Sequence, residues 1–279
     1  MAKQAQYIES IEIEALWEGG KHILWKLDPE VNILSGINGV GKSTIINHAV
    51  SVLEKMQRGE VQAGTTVQGV TIKLHPSTAR TIRLDVVRSF DRPLINGNLL
   101  EKLADSRVKT ELDWQIYKLQ KAYLDYQVTL SNRIIEVLTT TTSADEQMKQ
   151  AALISGPKTK FQNIMDELLS ETNKSIDRHS NEIAFVQDGQ RLSPYQLSSG
   201  EKQILVIMLT ALIENGEHYA LLMDEPEISL HIEWQKQLIG LIRELNPNAQ
   251  IILSTHSPAV IMNGWMDRVT EVEDVVYTP

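Results

Sequence analysis

The stretch Gly36-Ile37-Asn38-Gly39-Val40-Gly41-Lys42-Ser43-Thr44 decides the fold of this chain. It matches the phosphate-binding pattern G-x-x-x-x-G-K-[S/T] at every position. The apolar run at 31–34 before it favours a short β-strand, and the residues from 42 to 56 favour a helix. Glycines let the backbone of such a loop turn its N–H groups toward phosphate oxygens, and the helix N-terminus adds partial positive charge. The sequence therefore predicts a phosphate site at this strand–loop–helix junction.

Side chains of this loop have distinct expected tasks. The Lys42 ammonium is expected to reach the β- and γ-phosphates of a nucleotide, and the Ser43 hydroxyl is expected to bind Mg²⁺. The other loop positions predicted to line the nucleotide are Asn38, Gly39, Gly41 and Thr44. Trp17 and Trp25 lie upstream, where an aromatic ring can stack on adenine or belong to the core, and the sequence leaves both readings open.

Composition narrows the classes of protein to consider. The 279 residues allow one large domain or two small ones, and 27 Lys and Arg against 36 Asp and Glu give a net charge of −9. A globally basic nucleic-acid binder would have the opposite balance, although a local basic patch stays open. Cysteine is absent, which suits a reducing compartment. Without an apolar run of membrane-spanning length or an apolar signal core, we expect a cytoplasmic protein and no membrane partner.

The character of the sequence changes twice along the chain. Residues 1–97 contain strand-like runs around the loop, including 67–74 and 81–87. Residues 98–178 look helical, and residues 179–279 return to strands that alternate with helices. Such alternation favours a mostly parallel sheet covered by helices. We therefore predict one discontinuous α/β domain with a helical lobe inserted into it.

The lobe is predicted to hold two helical regions separated by the polar run at 139–143, with a further turn at 155–157. Apolar residues follow at helical spacing on both regions. They are Leu112, Ile116, Leu119, Tyr123, Tyr126 and Leu130, continuing to Leu138, and then Phe161, Ile164, Leu168 and Leu169. Packing inside the lobe and a coiled coil with a partner both produce this pattern, and packing inside the lobe is the commoner cause.

Two acidic residues and one histidine follow buried strands in the last third of the chain. Asp224 ends the run 219–223, where a carboxylate can hold Mg²⁺ together with Ser43. Glu225 comes next and is a candidate base for an attacking water. His256 follows the run 251–253, at the strand edge where open α/β sheets bind ligands, and it is a candidate contact for the γ-phosphate. Since neighbouring parallel strands end at one edge, these residues are predicted to share one site.

Leu197-Ser198-Ser199-Gly200-Glu201 completes the set and carries a family resemblance. It resembles the signature of ABC-type ATPases, usually written LSGGQ. Together with the phosphate loop, the segment at 224–231 and the Ser-Thr-His-Ser-Pro run at 254–258, it is similar to the ATPase heads of the RecF, SMC and OLD-like class. The resemblance covers nearly the whole chain, and the helical lobe at 98–178 is its least matched part. It implies a P-loop NTPase of the ABC-head type, with a RecA-like core, a mixed β subdomain and an inserted helical lobe.

The resemblance also implies a mechanism. Two heads would sandwich ATP and Mg²⁺, so that Ser198 and Gly200 of one head contact the γ-phosphate held by the other. The segment 224–231 ends in Ser229-Leu230-His231. This ending resembles OLD-like and stand-alone ATPases of bacterial defence loci more closely than it resembles transporters or SMC proteins. The sequence departs from the ABC pattern at residues 88–92, where the core strand meets the helical lobe. ABC heads usually carry a glutamine there, and this chain has none. Ser89 or Asp91 is the candidate replacement.

Three functions remain open at this stage. The first is a homodimeric ATPase that gates a separate effector protein in anti-phage defence, with a nuclease as one candidate effector. The second is a RecF-like DNA-binding ATPase. ATP turnover that DNA stimulates, with a steep salt dependence, would support this function. The third is the ATP-binding subunit of a transporter, which the missing glutamine and the ending at 229–231 disfavour.

Overall fold

The computed structural model describes residues 4–16, 20–88 and 106–277. The chain forms two compact units. The first comprises Met1–Ser89, Gly216–Arg243 and Pro247–Pro279, and the second comprises Phe90–Asn215 and Glu244–Asn246. The predicted division of the chain at residues 97 and 178 stays a prediction.

The first unit contains a five-stranded parallel sheet. Its strands are β3 (Val31–Ser35), β5 (Leu84–Arg88), β9 (Tyr219–Asp224), β10 (Ala249–Ser254) and β11 (Val269–Glu271). Their order is β11-β3-β10-β9-β5, and every neighbouring pair is parallel. The apolar runs of β3, β9 and β10 are buried along almost their whole length, as expected for strands covered on both faces. The predicted parallel sheet is therefore confirmed.

A second, antiparallel sheet of four strands belongs to the same unit. It is built from β1 (Tyr7–Ile13), β2 (His22–Lys26), β4 (Val70–His75) and β12 (Val276–Tyr277), in the order β12-β2-β1-β4. Helix α1 (Lys42–Gln57) shares one hydrophobic core with both sheets, since Leu53 lies in the same cluster as Ile72 and Leu222. This packing fixes the helix that follows the phosphate loop.

The second unit is mainly helical. Helices α2 (Glu111–Thr140) and α3 (Ala144–Leu168) pack on each other and on α4 (Ser199–Ile213). A small antiparallel sheet contains β6 (Lys174–Ile176), β7 (Phe185–Gln187) and β8 (Gln190–Leu192). Strands β7 and β8 are joined by a hairpin at Asp188-Gly189, and both residues have the positive φ that a two-residue turn of this type requires.

The remaining helices belong mostly to the first unit and are short apart from one. They are α5 (Ile232–Leu245), α6 (Pro258–Met262) and α7 (Val272–Val275). Single 3₁₀ turns occur at Ser170–Thr172, Pro194–Gln196 and Met266–Arg268. Within the described residues, no helix combines the length and the apolar character that crossing a membrane requires.

Several expectations about the elements were wrong. The turn expected at 155–157 is absent, since α3 continues through Pro157. The Ser155 hydroxyl donates to the carbonyl of Ala151, and the end of α3 is buried around Phe161. These interactions stabilise the helix by more than the hydrogen bond that is lost because Pro157 has no N–H. The helical character expected up to 178 ends at Leu168, because residues 174–176 pair with β7 instead.

The apolar stripe is buried only near the base of the two long helices. Leu112, Ile116, Tyr123, Tyr126 and Leu130 are buried, whereas Leu119 is partly exposed and Leu138 is exposed. The four apolar residues predicted for the second region, from Phe161 to Leu169, are all buried. Packing within the unit therefore accounts for the base of the stripe. Strand β5 also begins later than predicted, at Leu84 instead of Thr81.

Candidate functional site

The phosphate loop joins the end of β3 to the start of α1 in the first unit. Gly36 and Gly41 have φ values of 148° and 107°, in the region that favours glycine. A Cβ on Gly36 would also lie only 3.0 Å from a methyl carbon of Val40, so a side chain there would require Val40 to move. Asn38 and Gly39 are exposed, while Gly41, Ser43 and Thr44 are partly buried. The sequence therefore forms the expected tight turn between strand and helix.

The N-terminus of α1 has the features of an anion-binding site. No side chain among the described residues caps its N-terminus at Gly41, and its first turn contains no acidic residue. Lys42 is only 4% exposed, and its ammonium donates to the carbonyls of Gly36 at 2.8 Å and Ile37 at 3.3 Å. A buried ammonium and uncapped helix N–H groups together make a site for negative charge.

A carboxylate lies directly beside this helix start. Asp224 ends β9, and one of its oxygens, Oδ1, accepts a hydrogen bond from the Ser43 hydroxyl at 3.0 Å. The Ser254 hydroxyl donates to the same oxygen in a short hydrogen bond. Ser254 ends β10 and pairs with Asp224 in the parallel register. The end of β9 thus lies beside the start of α1, which brings together the two predicted metal ligands, Ser43 and Asp224.

Glu225 and His256 also meet at this edge. The imidazole Nδ1 of His256 lies 3.3 Å from Oε1 of Glu225. Glu225 has a φ of 46°, which a residue other than glycine adopts at some cost, and its N–H donates to the Ser254 carbonyl at 3.0 Å. Strained backbone of this kind is concentrated at functional sites. The structure therefore places both predicted catalytic side chains in contact.

Sequence reasoning missed two residues that join the loops of this edge. Glu227 is 6% exposed, and its carboxylate accepts hydrogen bonds from the Thr255 hydroxyl and from the backbone N–H of His256. Gln235, on α5, accepts from the Ser257 hydroxyl and donates to the Leu230 carbonyl. Glu227 stands inside the acidic motif at 224–227, so its acidic character was a usable signal, whereas nothing local marked Gln235.

The signature segment belongs to the second unit and caps its own helix. Ser198 is the N-cap of α4, where its hydroxyl accepts from the Glu201 N–H and its own N–H donates to the Glu201 carboxylate. Ser198 is exposed, and Gly200 lies partly buried in the first turn. The start of α4 therefore presents an exposed hydroxyl on an ordered helix end.

Two ion pairs hold this segment from inside the second unit. Lys174 lies 2.7 Å from the Glu201 carboxylate, and Lys202 lies 2.8 Å from the Asp113 carboxylate. Burial alone would raise the pKa of the Glu201 carboxyl, but hydrogen bonds from Lys174 and Ser198 outweigh burial and lower that pKa. Glu201 is therefore a buried anion at neutral pH.

The residues present suit a magnesium ion that is shared with a nucleotide. Within the described residues, no group of three or more His, Asp or Glu side chains could hold a metal ion without other ligands. The oxygens of Ser43 and Asp224 offer two ligands beside a site for negative charge. Mg²⁺ prefers oxygen ligands and is commonly bound by one or two protein groups together with substrate phosphates.

Two further expectations concern residues elsewhere in the chain. Trp25 is 1% exposed in the core of the first unit, so it does not stack on a ligand. Trp17 and the candidate replacements Ser89 and Asp91 lie outside the described residues. Their roles stay predictions.

Similarity to known proteins agrees with this geometry. Residues 140–263 match the family described as "AAA domain, putative AbiEii toxin, Type IV TA system". The "Retron Vc95 probable ATPase" of Vibrio cholerae serotype O1 biovar El Tor is 27% identical over 107 residues, 34% of this chain and 21% of that protein. The "Retron Ec83 probable ATPase" of Escherichia coli is 32% identical over 100 residues, 32% of this chain and 18% of that protein. The chain thus matches about a fifth of the length of these curated relatives.

The fold itself is shared with the head domain of an Smc protein. A solved structure described as the SmcHead bound to the C-winged helix domain of ScpA has a TM-score of 0.52 and 16% identity. The match covers 92% of this chain and 91% of that one, which is a likeness of fold. The chain therefore has the α/β fold of ABC-type P-loop ATPase heads, and about a third of its sequence is similar to retron proteins named as probable ATPases.

Proposed function

We propose that this protein binds ATP with Mg²⁺, hydrolyses ATP and uses the cycle to close and reopen a homodimer. The observation that carries the proposal is the 3.0 Å contact between the Ser43 hydroxyl and the Asp224 carboxylate beside the uncapped start of α1. That arrangement suits a phosphate chain and its cation better than any other class of ligand. The related retron proteins are named as probable ATPases, which supports ATP as the nucleotide.

Each residue of the first unit has a separate task in this proposal. Lys42 and the N–H groups of the loop bind the phosphates, while Ser43 and Asp224 hold the cation. Mg²⁺ supplies neutralisation of the charge that develops on the phosphate oxygens. Glu225 accepts a proton from the attacking water, and His256 donates a hydrogen bond to the γ-phosphate. Glu225 and His256 are already in contact, so one can orient the other.

The dimer assigns a task to the signature segment. The exposed Ser198 hydroxyl and the first turn of α4, which includes Gly200, would meet the γ-phosphate bound by the other subunit. The capping box of Ser198 and Glu201 supports this role, because it keeps the helix end ordered before a partner arrives.

The biological setting follows from the relatives and rests on analogy. Two of them carry the name retron, so we propose a role in bacterial defence, in the cytoplasm, with a separate effector protein as partner. The ATPase cycle would then set the time at which the effector acts.

Mixing two impaired variants tests this proposal. Ser198→Arg keeps its own phosphate loop but places a bulky cation where two subunits meet, and Lys42→Ala keeps its signature but loses the phosphate-binding ammonium. A mixed dimer has one site with both lesions and one site with neither. We expect each variant alone to be nearly inactive and the mixture to regain measurable ATPase activity.

Controls separate this result from trivial causes. Ser198→Ala also loses the N-cap, at a cost of about 1 kcal/mol, and shows what cap loss alone does. Different affinity tags report whether mixed dimers form. Full activity of Ser198→Arg as a monomer, measured by light scattering with ATP present, would refute the sandwich. If mixed dimers form but regain no ATPase activity, the assumption that the two sites work independently is refuted.

A further inference from the structure

Two loops of the first unit meet at the carboxyl edge of the parallel sheet. One loop, residues 225–231, follows β9, and the other, residues 255–257, follows β10. Glu227 and Gln235 link these loops through their side chains, and we call these two residues the loop clamp. Neither residue has a task in the function proposed above, so the reason for their placement is open.

Glu227 is a buried carboxylate with two donors on one oxygen. Oε1 accepts from the Thr255 hydroxyl and, at 3.3 Å, from the His256 backbone N–H. Oε2 is buried, and within the described part of the chain it has no hydrogen-bond partner. Burying a carboxylate is unfavourable unless its interactions compensate for lost hydration, so a residue of this kind at a candidate site calls for a functional explanation.

The side chain of His256 faces the same two carboxylates. Its Nδ1 lies 3.3 Å from Glu225 and 3.9 Å from Glu227. A ring nitrogen next to two carboxylates must carry the proton, because a lone pair there would face oxygen lone pairs. The imidazole is 51% exposed, so Nε2 is the ring nitrogen left for a ligand at this edge.

Gln235 holds the two loops from the side of α5. Its amide nitrogen donates to the Leu230 carbonyl at 2.9 Å and to the Glu227 carbonyl at 3.4 Å. Its amide oxygen accepts from the Ser257 hydroxyl at 2.7 Å. The main chain on both sides of His256 and around Glu227 is therefore fixed by side chains that no ligand needs to touch.

We propose that Glu227 is a positioning residue for ATP hydrolysis. It fixes the Thr255–His256 main chain so that the imidazole donates Nδ1–H to Glu225 and, with both ring nitrogens protonated when ATP is bound, Nε2–H to the γ-phosphate. Gln235 supports the same arrangement from α5. This inference rests on the proposed ATPase function. It predicts that the loop clamp controls turnover through His256, and not the binding of ATP by Lys42 and Ser43.

A double-mutant cycle tests the dependence on His256. Glu227→Ala removes the acceptor and is expected to lower kcat on the order of tenfold, with little change in the binding of ATP. Glu227→Gln keeps an acceptor oxygen and should recover most of that loss. In a His256→Ala background, Glu227→Ala should cause no further loss, because the residue that it positions is already absent. Additive losses would overturn the proposal.

A measurement independent of activity reads the imidazole itself. Nitrogen-15 correlation spectra of the histidine rings report the tautomer, and the signal of His256 is assigned as the one missing from the His256→Ala variant. In protein without nucleotide, we expect the Nδ1–H form in the wild type and a shift toward Nε2–H in Glu227→Ala. An unchanged tautomer together with unchanged kcat would overturn the proposal.

Two further comparisons separate a failure of this inference from a folding defect and from a failure of the proposed function. If Glu227→Ala does not fold, Thr255→Val removes one donor to Glu227 while preserving shape, and it should shift kcat in the same direction by a smaller factor. If wild-type protein shows no Mg²⁺-dependent ATP turnover, the proposed function fails. If wild-type turnover is present and the clamp variants are unchanged, only the present inference fails.

Discussion

Replacing Glu201 by Gln removes a buried charge that three donors surround. The carboxylate of Glu201 accepts from Lys174 at 2.7 Å, from Thr172 at 3.1 Å and from the Ser198 N–H at 2.9 Å. A glutamine has one acceptor oxygen, so its NH₂ group must face at least one of these donors. Hydrogen bonds to charged groups contribute about 1.5–3 kcal/mol each, and the carboxylate's own desolvation offsets part of this. We expect Glu201→Gln to lower the free energy of unfolding by about 2–3 kcal/mol at pH 7.

The loss should depend on pH in a defined direction. Burial raises the pKa of Glu201 and its hydrogen bonds lower it by more, so the folded-state pKa lies below that of the unfolded chain. The stabilisation is therefore complete above the unfolded value of about 4.3 and disappears as the pH falls through the folded value. Wild-type protein and Glu201→Gln should differ at pH 7 and converge in acid.

Thermal unfolding followed by circular dichroism measures this difference. A loss of 2–3 kcal/mol corresponds to a Tm decrease of about 5–10 °C for a chain of this size. Hydrogen exchange of the α4 amides locates the loss in the signature segment. Glu233→Gln is the matched control, because its ion pair with Lys236 is largely exposed and should contribute less than about 1 kcal/mol. An equal Tm decrease at pH 7 and in acid would refute the reasoning.

Two further variants address the first unit. Lys42→Ala should weaken ATP binding at least tenfold in calorimetry, since it removes the buried ammonium and its bonds to the loop carbonyls; unchanged affinity would reject this loop as the phosphate site. Glu225→Gln should lower turnover on the order of a hundredfold while ATP still binds, because an amide cannot accept the proton of water. Turnover near the wild-type value would assign the base to another carboxylate.

Motif order and strand periodicity predicted the main features of the first unit. Apolar runs such as 219–223 predicted buried parallel strands, and such strands end at one edge of their sheet. The contact between Ser43 and Asp224, 181 positions apart, follows from that single geometric rule. The candidate site was thus predictable where each residue stands directly after a strand or at a helix start.

The second unit was harder to predict because its local signals are overridden by packing. Glycine and proline at 156–157 are a turn signal in any short window, yet α3 continues through them. The helix continues because its end is buried around Phe161 and because it packs on α2 and α4. Likewise, residues 174–176 form a strand only because β7 lies beside them. Propensity is a weak prior where tertiary contacts supply more free energy.

Ser254 shows why the remaining part of the site needs a structure. Its hydroxyl donates to Asp224, and its carbonyl accepts from the N–H of Glu225. One residue at the end of β10 thus orients both the candidate metal ligand and the candidate base on the neighbouring strand. This is possible only because the parallel register pairs Ser254 with Asp224, and a shift by one residue would point the hydroxyl to the other face of the sheet. A serine in that run carries no local mark of this task, because its importance is a property of the register and not of the residue.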